Sequence, residues 1–210
     1  MVNNEQRHIR LRRLTKRLNK ERKRQARQID VLCNDFIAAQ KDFIRKLNVI
    51  NFTSSFYESI LGTTDLNSLL YTAVKLIKEE LEEANVTFFL HQAENFELHI
   101  FENAMPITLE KQHLENCFSP ELMDNICQAN KVCAIKDMVE MGLQGNLAGL
   151  NNFSAVTVPL GRGGLSLGFI LVYRSSENKI TPDNLKNITA VTPGLSQAIR
   201  SCRQILHHAD

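Results

Sequence analysis

Ser154-Ala-Val-Thr-Val-Pro-Leu160, Gly161-Arg-Gly-Gly164 and Leu165-Ser-Leu-Gly-Phe-Ile-Leu-Val-Tyr173 follow one another without a break, and this stretch decides the fold. Two runs of β-branched and aliphatic residues flank a glycine turn, which predicts an antiparallel hairpin. Apolar runs this continuous belong to strands covered on both faces, so the hairpin is placed at the centre of a sheet. Upstream, Val86-Thr-Phe-Phe-Leu90 and Phe96-Glu-Leu-His-Ile-Phe101 flank a polar turn at Gln92 to Asn95 and give a second hairpin, and Lys131-Val-Cys-Ala-Ile-Lys136 gives a short further strand.

Helices surround these strands. From Glu5 to about Leu61 the chain has no Pro or Gly and repeats apolar residues at helical spacing, which predicts one helix of roughly 80 Å. Gly62-Thr-Thr-Asp65 ends it, and Asp65 caps a second helix whose apolar face is Leu66, Leu69, Leu70, Ala73, Val74, Ile77 and Leu81. Residues 107–130 read as polar and helical with a break at Ser119-Pro120, and Val139 to Leu150 as a glycine-containing helix or loop. Thr181 caps a closing helix that begins at Pro182 and carries Leu185, Ile188, Thr192, Leu195, Ile199, Cys202 and Leu206, with a kink expected at Pro193-Gly194.

This order resembles the GAF family of small-molecule sensor domains over roughly residues 50–206. The likeness rests on Ser154-Ala-Val-Thr-Val-Pro159-Leu160, Gly164-Leu-Ser-Leu-Gly168-Phe-Ile-Leu-Val, Ile180-Thr-Pro-Asp183, and Leu185 with Ala198-Ile199. It implies an α+β fold, a GAF-like antiparallel sheet of five to six strands flanked by helices and preceded by a long N-terminal helix. It divides the chain into a basic, coiled-coil-like helix (1–50) and a sensory domain with its C-terminal helix (51–210). Pro159 is read as ending the ladder at the turn, and Gly168 as letting a helix or ligand approach the sheet.

Charge is unevenly distributed. Residues 1–28 hold 11 Lys/Arg against Glu5 and Glu21, a net of +9, while the rest holds 14 Lys/Arg against 21 Asp/Glu, a net of −7. A basic arm of this kind seeks polyanions, anionic lipid or an acidic protein surface. Arg10, Arg12, Arg13, Arg17, Arg22, Lys23 and Arg24 are its candidate polyanion contacts. Basic residues occur all around the helix, Leu11, Leu14 and Leu18 form its apolar stripe, and no aromatic residue is available to stack on bases. From Leu18 to Ile29 the apolar seam steps 11 residues, a heptad plus a four-residue stutter, which makes Asn19 to Gln28 the weakest part of a coiled coil.

Cys33, Cys117, Cys127, Cys133 and Cys202 are odd in number and contain no CxxC pair, so they are read as reduced thiols of a cytoplasmic protein. No apolar run reaches the length of about 18 residues that crosses a bilayer. Within the GAF resemblance, the free methionine sulfoxide reductases place a cysteine just before the strand that here begins at Ser154. Gly145-Asn-Leu-Ala-Gly-Leu-Asn-Asn152 has no thiol there, which disfavours that enzyme. Glu115-Asn-Cys-Phe118 is similar to the auxiliary Asp-x-Cys-Phe motif of bilin-binding photoreceptors, but the main Cys-His attachment pair is missing. Asn146, Asn151, Asn152 and Phe153 are reminiscent of cyclic-nucleotide sites, without the acidic pair of that signature. His113, Cys117, Cys127 and Cys133 match no familiar zinc spacing. Gly161-Arg-Gly-Gly164 carries no Walker lysine and precedes a strand, so it is not a phosphate loop.

The expected function is that of a non-catalytic, dimeric sensor or adaptor, with a small-molecule pocket between the sheet and residues 107–150 lined by Phe88, Leu90, Phe118, Met138, Met141, Asn152 and Thr157. No cofactor is required by the sequence. Dimerisation is assigned to Leu32, Phe36, Phe43, Leu47 and Ile50 on the N-terminal helix, and to Leu195, Ile199, Cys202 and Leu206 on the closing helix. An effector protein is expected to act in trans. The alternative is a nucleic-acid or membrane-surface binder that uses the basic helix and dimerises through the GAF-like body.

Overall fold

A computed structural model describes residues 2–92, 95–101, 116–144, 153–162 and 165–209. The chain forms two units, Met1–Asn48 and Val49–Asp210. The first is the larger part of helix α1 (Val2–Ile60). It runs unbroken through Asn19 to Gln28, and every residue from Gln6 to Asn48 is exposed.

The second unit contains the sheet, whose strands are β1 (Asn85–Gln92), β2 (Asn95–Ile100), β3 (Cys133–Ala134), β4 (Phe153–Arg162) and β5 (Leu165–Ser175). Their order is β2-β1-β5-β4-β3 and every pairing is antiparallel. The glycine-turn hairpin, β4 and β5, thus supplies the central strand, as its double-sided apolar composition requires. Gly168 lies on β5 opposite Leu90 and Leu160, with φ +127°. What comes close to it is the Phe89 carbonyl of the adjacent strand, not a helix or a ligand. Pro159 does not end the ladder. It pairs with Phe169 inside β4, beyond the two-residue contact with β3, where among the described residues β4 has a neighbour on one side only and a missing N–H is tolerated.

One face of the sheet is covered by α2 (Leu66–Glu80), α5 (Pro182–Ala209) and the last turns of α1. Asp65 caps α2, its carboxylate accepting from the Ser68 amide at 2.7 Å. Hydrogen bonds from Ser68, side chain first and backbone second, hold that carboxyl below its ordinary pKa. Leu69, Leu70, Ala73, Val74 and Ile77 of α2 meet Ile188, Val191, Leu195 and Ile199 of α5, with Phe56 and Ile60 of α1, over Val86, Phe88, Leu90, Val158 and Ile170. Each fully buried aliphatic or aromatic side chain there contributes roughly 1.5–3 kcal/mol.

The other face carries α3 (Pro120–Ala129) and α4 (Ile135–Glu140). Ser119 caps α3, accepting from the Leu122 amide at 3.3 Å, with Pro120 in the first turn. Only Cys133 and Ala134 of the expected 131–136 strand pair with β4, because α4 starts at Ile135. That helix stops before Gly142, which has φ +108°; of the Val139 to Leu150 stretch expected as a helix or loop, residues 145–150 lie outside the described residues.

Helix α5 passes through Pro193 without a break. Proline removes the amide that would bond to the Thr189 carbonyl, and the Thr192 hydroxyl donates to that carbonyl instead, at 2.9 Å. Gly194 has a different task. A Cβ there would lie 2.3 Å from a ring carbon of Tyr57, whose hydroxyl donates to the Ala190 carbonyl at 3.3 Å. Gly194→Ala is therefore expected to lower unfolding stability by about 1–3 kcal/mol in urea melts, with partial recovery when Tyr57→Leu is added. An unchanged midpoint would mean that the ring swings aside at no cost.

Candidate functional site

The α3–α4 face of the sheet is the first candidate. Strand alternation puts Phe89 of β1 and Phe169, Leu171 and Tyr173 of β5 on this face, where Phe118, Leu122, Met123, Ile126, Cys127, Cys133 and Met138 close over them. Phe89 and Phe169 are direct cross-strand partners and stack at 4.6 Å with their planes 14° apart. Phe118 lies 4.9 Å from Phe89 and 6.0 Å from Phe169. Buried Thr157 donates to the Cys133 carbonyl at 3.5 Å. At the β2 edge a shallow cleft of about 220 Å³ is lined by Asn95, Phe96, Leu98, Phe118, Pro120 and Met123.

Of the residues assigned to a pocket, Phe118 and Met138 are brought together here, with Met141 packed against the same cluster and Thr157 buried on β4 beside Cys133 of β3. Phe88 and Leu90 are not. They point to the opposite face, into the cluster under α2 and α5. A strand that is apolar on both faces gives no alternation by which Phe88 and Phe89 could be told apart, and Phe89 and Phe169 were missed for that reason. Asn152 lies outside the described residues, as do His113, Asn146 and Asn151.

Four of the thiols are held in their neutral form by burial. Burial pushes Cys117, Cys127, Cys133 and Cys202 above the ordinary cysteine pKa, and for Cys127 and Cys133 hydrogen bonding to Ser166 and Thr157 offsets this in part. Such thiols are poor nucleophiles. All five cysteines are free, and Cys33 is the exposed one.

The dimerisation residues fall into two groups. Leu32, Phe36, Phe43, Leu47 and Ile50 are all exposed, Phe36 at 70%. Leu195 and Ile199 are fully buried and Cys202 is 1% exposed, all within their own domain. Leu195, Ile199 and Cys202 are thus on the side of α5 that packs on the sheet and α2, and they are not available to a second chain. The side chain of Leu206 lies outside the described residues.

On α1 the basic residues are more ordered than the sequence reading allowed. At 100° per residue, Arg10, Arg12, Arg13, Lys16, Arg17, Lys20, Lys23, Arg24 and Arg27 fall within an arc of about 160°. Leu11, Leu14 and Leu18 fall within about 40° of one line outside that arc. Arg22 and Arg7 lie on the leucine side, so Arg22 does not belong with the other polyanion candidates, whereas Lys16, Lys20 and Arg27 do. The 11-residue step has a simple consequence too. It puts Ile29, Leu32, Phe36 and Phe43 18 residues, five whole turns, after Leu11, Leu14, Leu18 and Gln25, so the apolar stripe runs straight along the helix.

No family model and no curated protein sequence matches the chain. Solved structures do match in fold. The GAF domain of a phosphoenolpyruvate-protein phosphotransferase from Coxiella burnetii superposes with a TM-score of 0.57 at 12% identity, covering 75% of this chain and 96% of that one. The GAF domain/HD domain protein from Geobacter sulfurreducens gives 0.54 at 14% identity over 67% and 95%. The free methionine-R-sulfoxide reductase from Neisseria meningitidis, solved with its substrate, gives 0.54 at 14% identity over 75% and 91%. The chain has a GAF fold, shared by sensor domains and by an enzyme, and at these identities the likeness extends to the fold alone. No helix among the described residues is long and apolar enough to cross a membrane.

Proposed function

We propose that this protein is a non-catalytic signalling module, a GAF-fold sensor or adaptor that dimerises through α1 and relays the binding of a small ligand or partner protein to an effector in trans. The observation that carries the reading is the straight, exposed stripe of Leu32, Phe36, Phe43, Leu47 and Ile50. Burying each such side chain against a second copy is worth roughly 1.5–3 kcal/mol. The charge of this segment also favours self-association, since residues 29–50 hold Lys41, Arg45 and Lys46 against Asp30, Asp35 and Asp42. A repeat of 18 residues suits helices that pack side by side with little supercoil. The C-terminal helix takes no part in this contact.

The ligand surface assigned to the sensor is the α3–α4 face, with Phe118, Met138, Met141 and Thr157 as its residues. The protonated, mostly buried thiols support a binding role over thiol chemistry. A cytoplasmic placement goes with the free, exposed Cys33.

Sedimentation velocity tests the dimer. The native chain is expected to sediment as a dimer at micromolar concentration and Phe36→Asp/Phe43→Asp as a monomer. Because both positions are exposed, the circular dichroism of the GAF domain should stay the same in the variant. A native chain that remains monomeric at high concentration overturns the reading.

A further inference from the structure

We propose that the basic arc of α1 is a binding surface for the phosphate backbone of B-form duplex DNA, independent of the sensing role and of the dimer stripe. Between Arg10 and Arg27, every residue within the arc is Arg or Lys. The nine side chains follow one another at about 20° intervals around the helix and span about 25 Å along it. All are exposed, and none forms an ion pair among the described residues. Nine like charges on one side of a rod repel one another until a polyanion lies against them.

The shape of the arc selects the polyanion. A cylinder resting on a flat anionic membrane brings only a narrow strip of its circumference to the headgroups, and an arc of about 160° exceeds that. Between Arg10 and Arg27 the arc has no apolar residue to insert into lipid, and the leucines lie outside it. In the major groove of B-form DNA, about 12 Å wide, phosphates line both walls of a channel that admits an α-helix. There, cations spread over nearly half the circumference reach both strands at once. The deep, narrow major groove of A-form RNA does not admit the same rod. Six of the nine cations are arginines, whose planar guanidinium groups bind phosphate in bidentate fashion. With no aromatic residue and no amide side chain in the arc between Arg10 and Arg27, binding is to the backbone and independent of base sequence.

The off-arc arginines supply a control with the same charge change. Fluorescence anisotropy with the full chain and a 20-base-pair DNA duplex is expected to give a log–log salt slope on the order of −5 or steeper, from about six phosphates neutralised. Arg13→Gln/Arg24→Gln, on the arc, should weaken binding roughly tenfold or more near physiological salt. Arg7→Gln/Arg22→Gln, off the arc, should change it less than about twofold, with helix content by circular dichroism equal in the two variants. Equal losses in both variants, a slope shallower than about −2, or equal affinity for duplex RNA overturns the proposal. Tighter binding to phosphatidylserine vesicles than to the duplex overturns it in favour of a membrane surface. A monomeric native chain that still shows the arc-specific loss removes the dimer and leaves this site standing.

Discussion

Gly168→Ala is expected to lose more than about 4 kcal/mol of stability, most of what a domain of this size possesses. A Cβ at this position would sit 1.8 Å from the Phe89 carbonyl oxygen, 2.9 Å from its carbon and 3.0 Å from the Leu90 Cα. Every one of these is backbone in the paired strand β1, so no side chain can rotate away. Restoring ordinary contact means prising β5 from β1 at the middle of the sheet, next to the stacked Phe89 and Phe169. The φ of +127° adds strain for any residue with a side chain. Gly142→Ala separates the two effects. It too has a positive φ, +108°, but nothing lies within 4 Å, so it should cost only about 1–2 kcal/mol. Urea melts followed by circular dichroism measure both variants. Midpoints for Gly168→Ala and Gly142→Ala that agree within error would mean that close approach of the strands plays no part.

The same glycine shows how far the sequence could be read. Interrupting an apolar run, Gly168 signals that something comes close to the backbone, yet sequence cannot say whether a helix, a ligand or the next strand does so. The two hairpins, the Asp65 and Ser119 caps and the Pro182 start were legible because each depends on a few neighbouring residues and on chemistry that works locally. What could not be read depends on facing. Phe88 and Phe89 differ only in which side of a doubly buried strand they point to. Leu195 and Ile199 repeat at a spacing that serves a partner helix and the protein's own sheet equally well. On α1 the opposite happened. A continuous helix turns a list of basic residues that looked unordered into an arc, and an 11-residue step that looked like a defect into a straight stripe.

Ile199→Asp is the second variant with a large expected effect, and it separates the two apolar stripes of the chain. Ile199 is completely buried beside Leu195 and Cys202, in the cluster that α5 shares with α2, Phe56 and the sheet. The buried side chains that form that cluster are hydrophobic. Burying a carboxyl group without hydrogen-bond partners costs several kcal/mol even when it protonates, and the lost isoleucine packing adds about 2–5 kcal/mol more. The variant should accumulate as insoluble or expanded protein with its cooperative unfolding transition lost. Phe43→Asp introduces the same charge on an exposed position of α1, and should leave that transition in place while weakening self-association. If Ile199→Asp instead yields a well-folded monomer with native circular dichroism, the α5 stripe belongs to an interface between chains, and its packing on the sheet of its own domain is wrong.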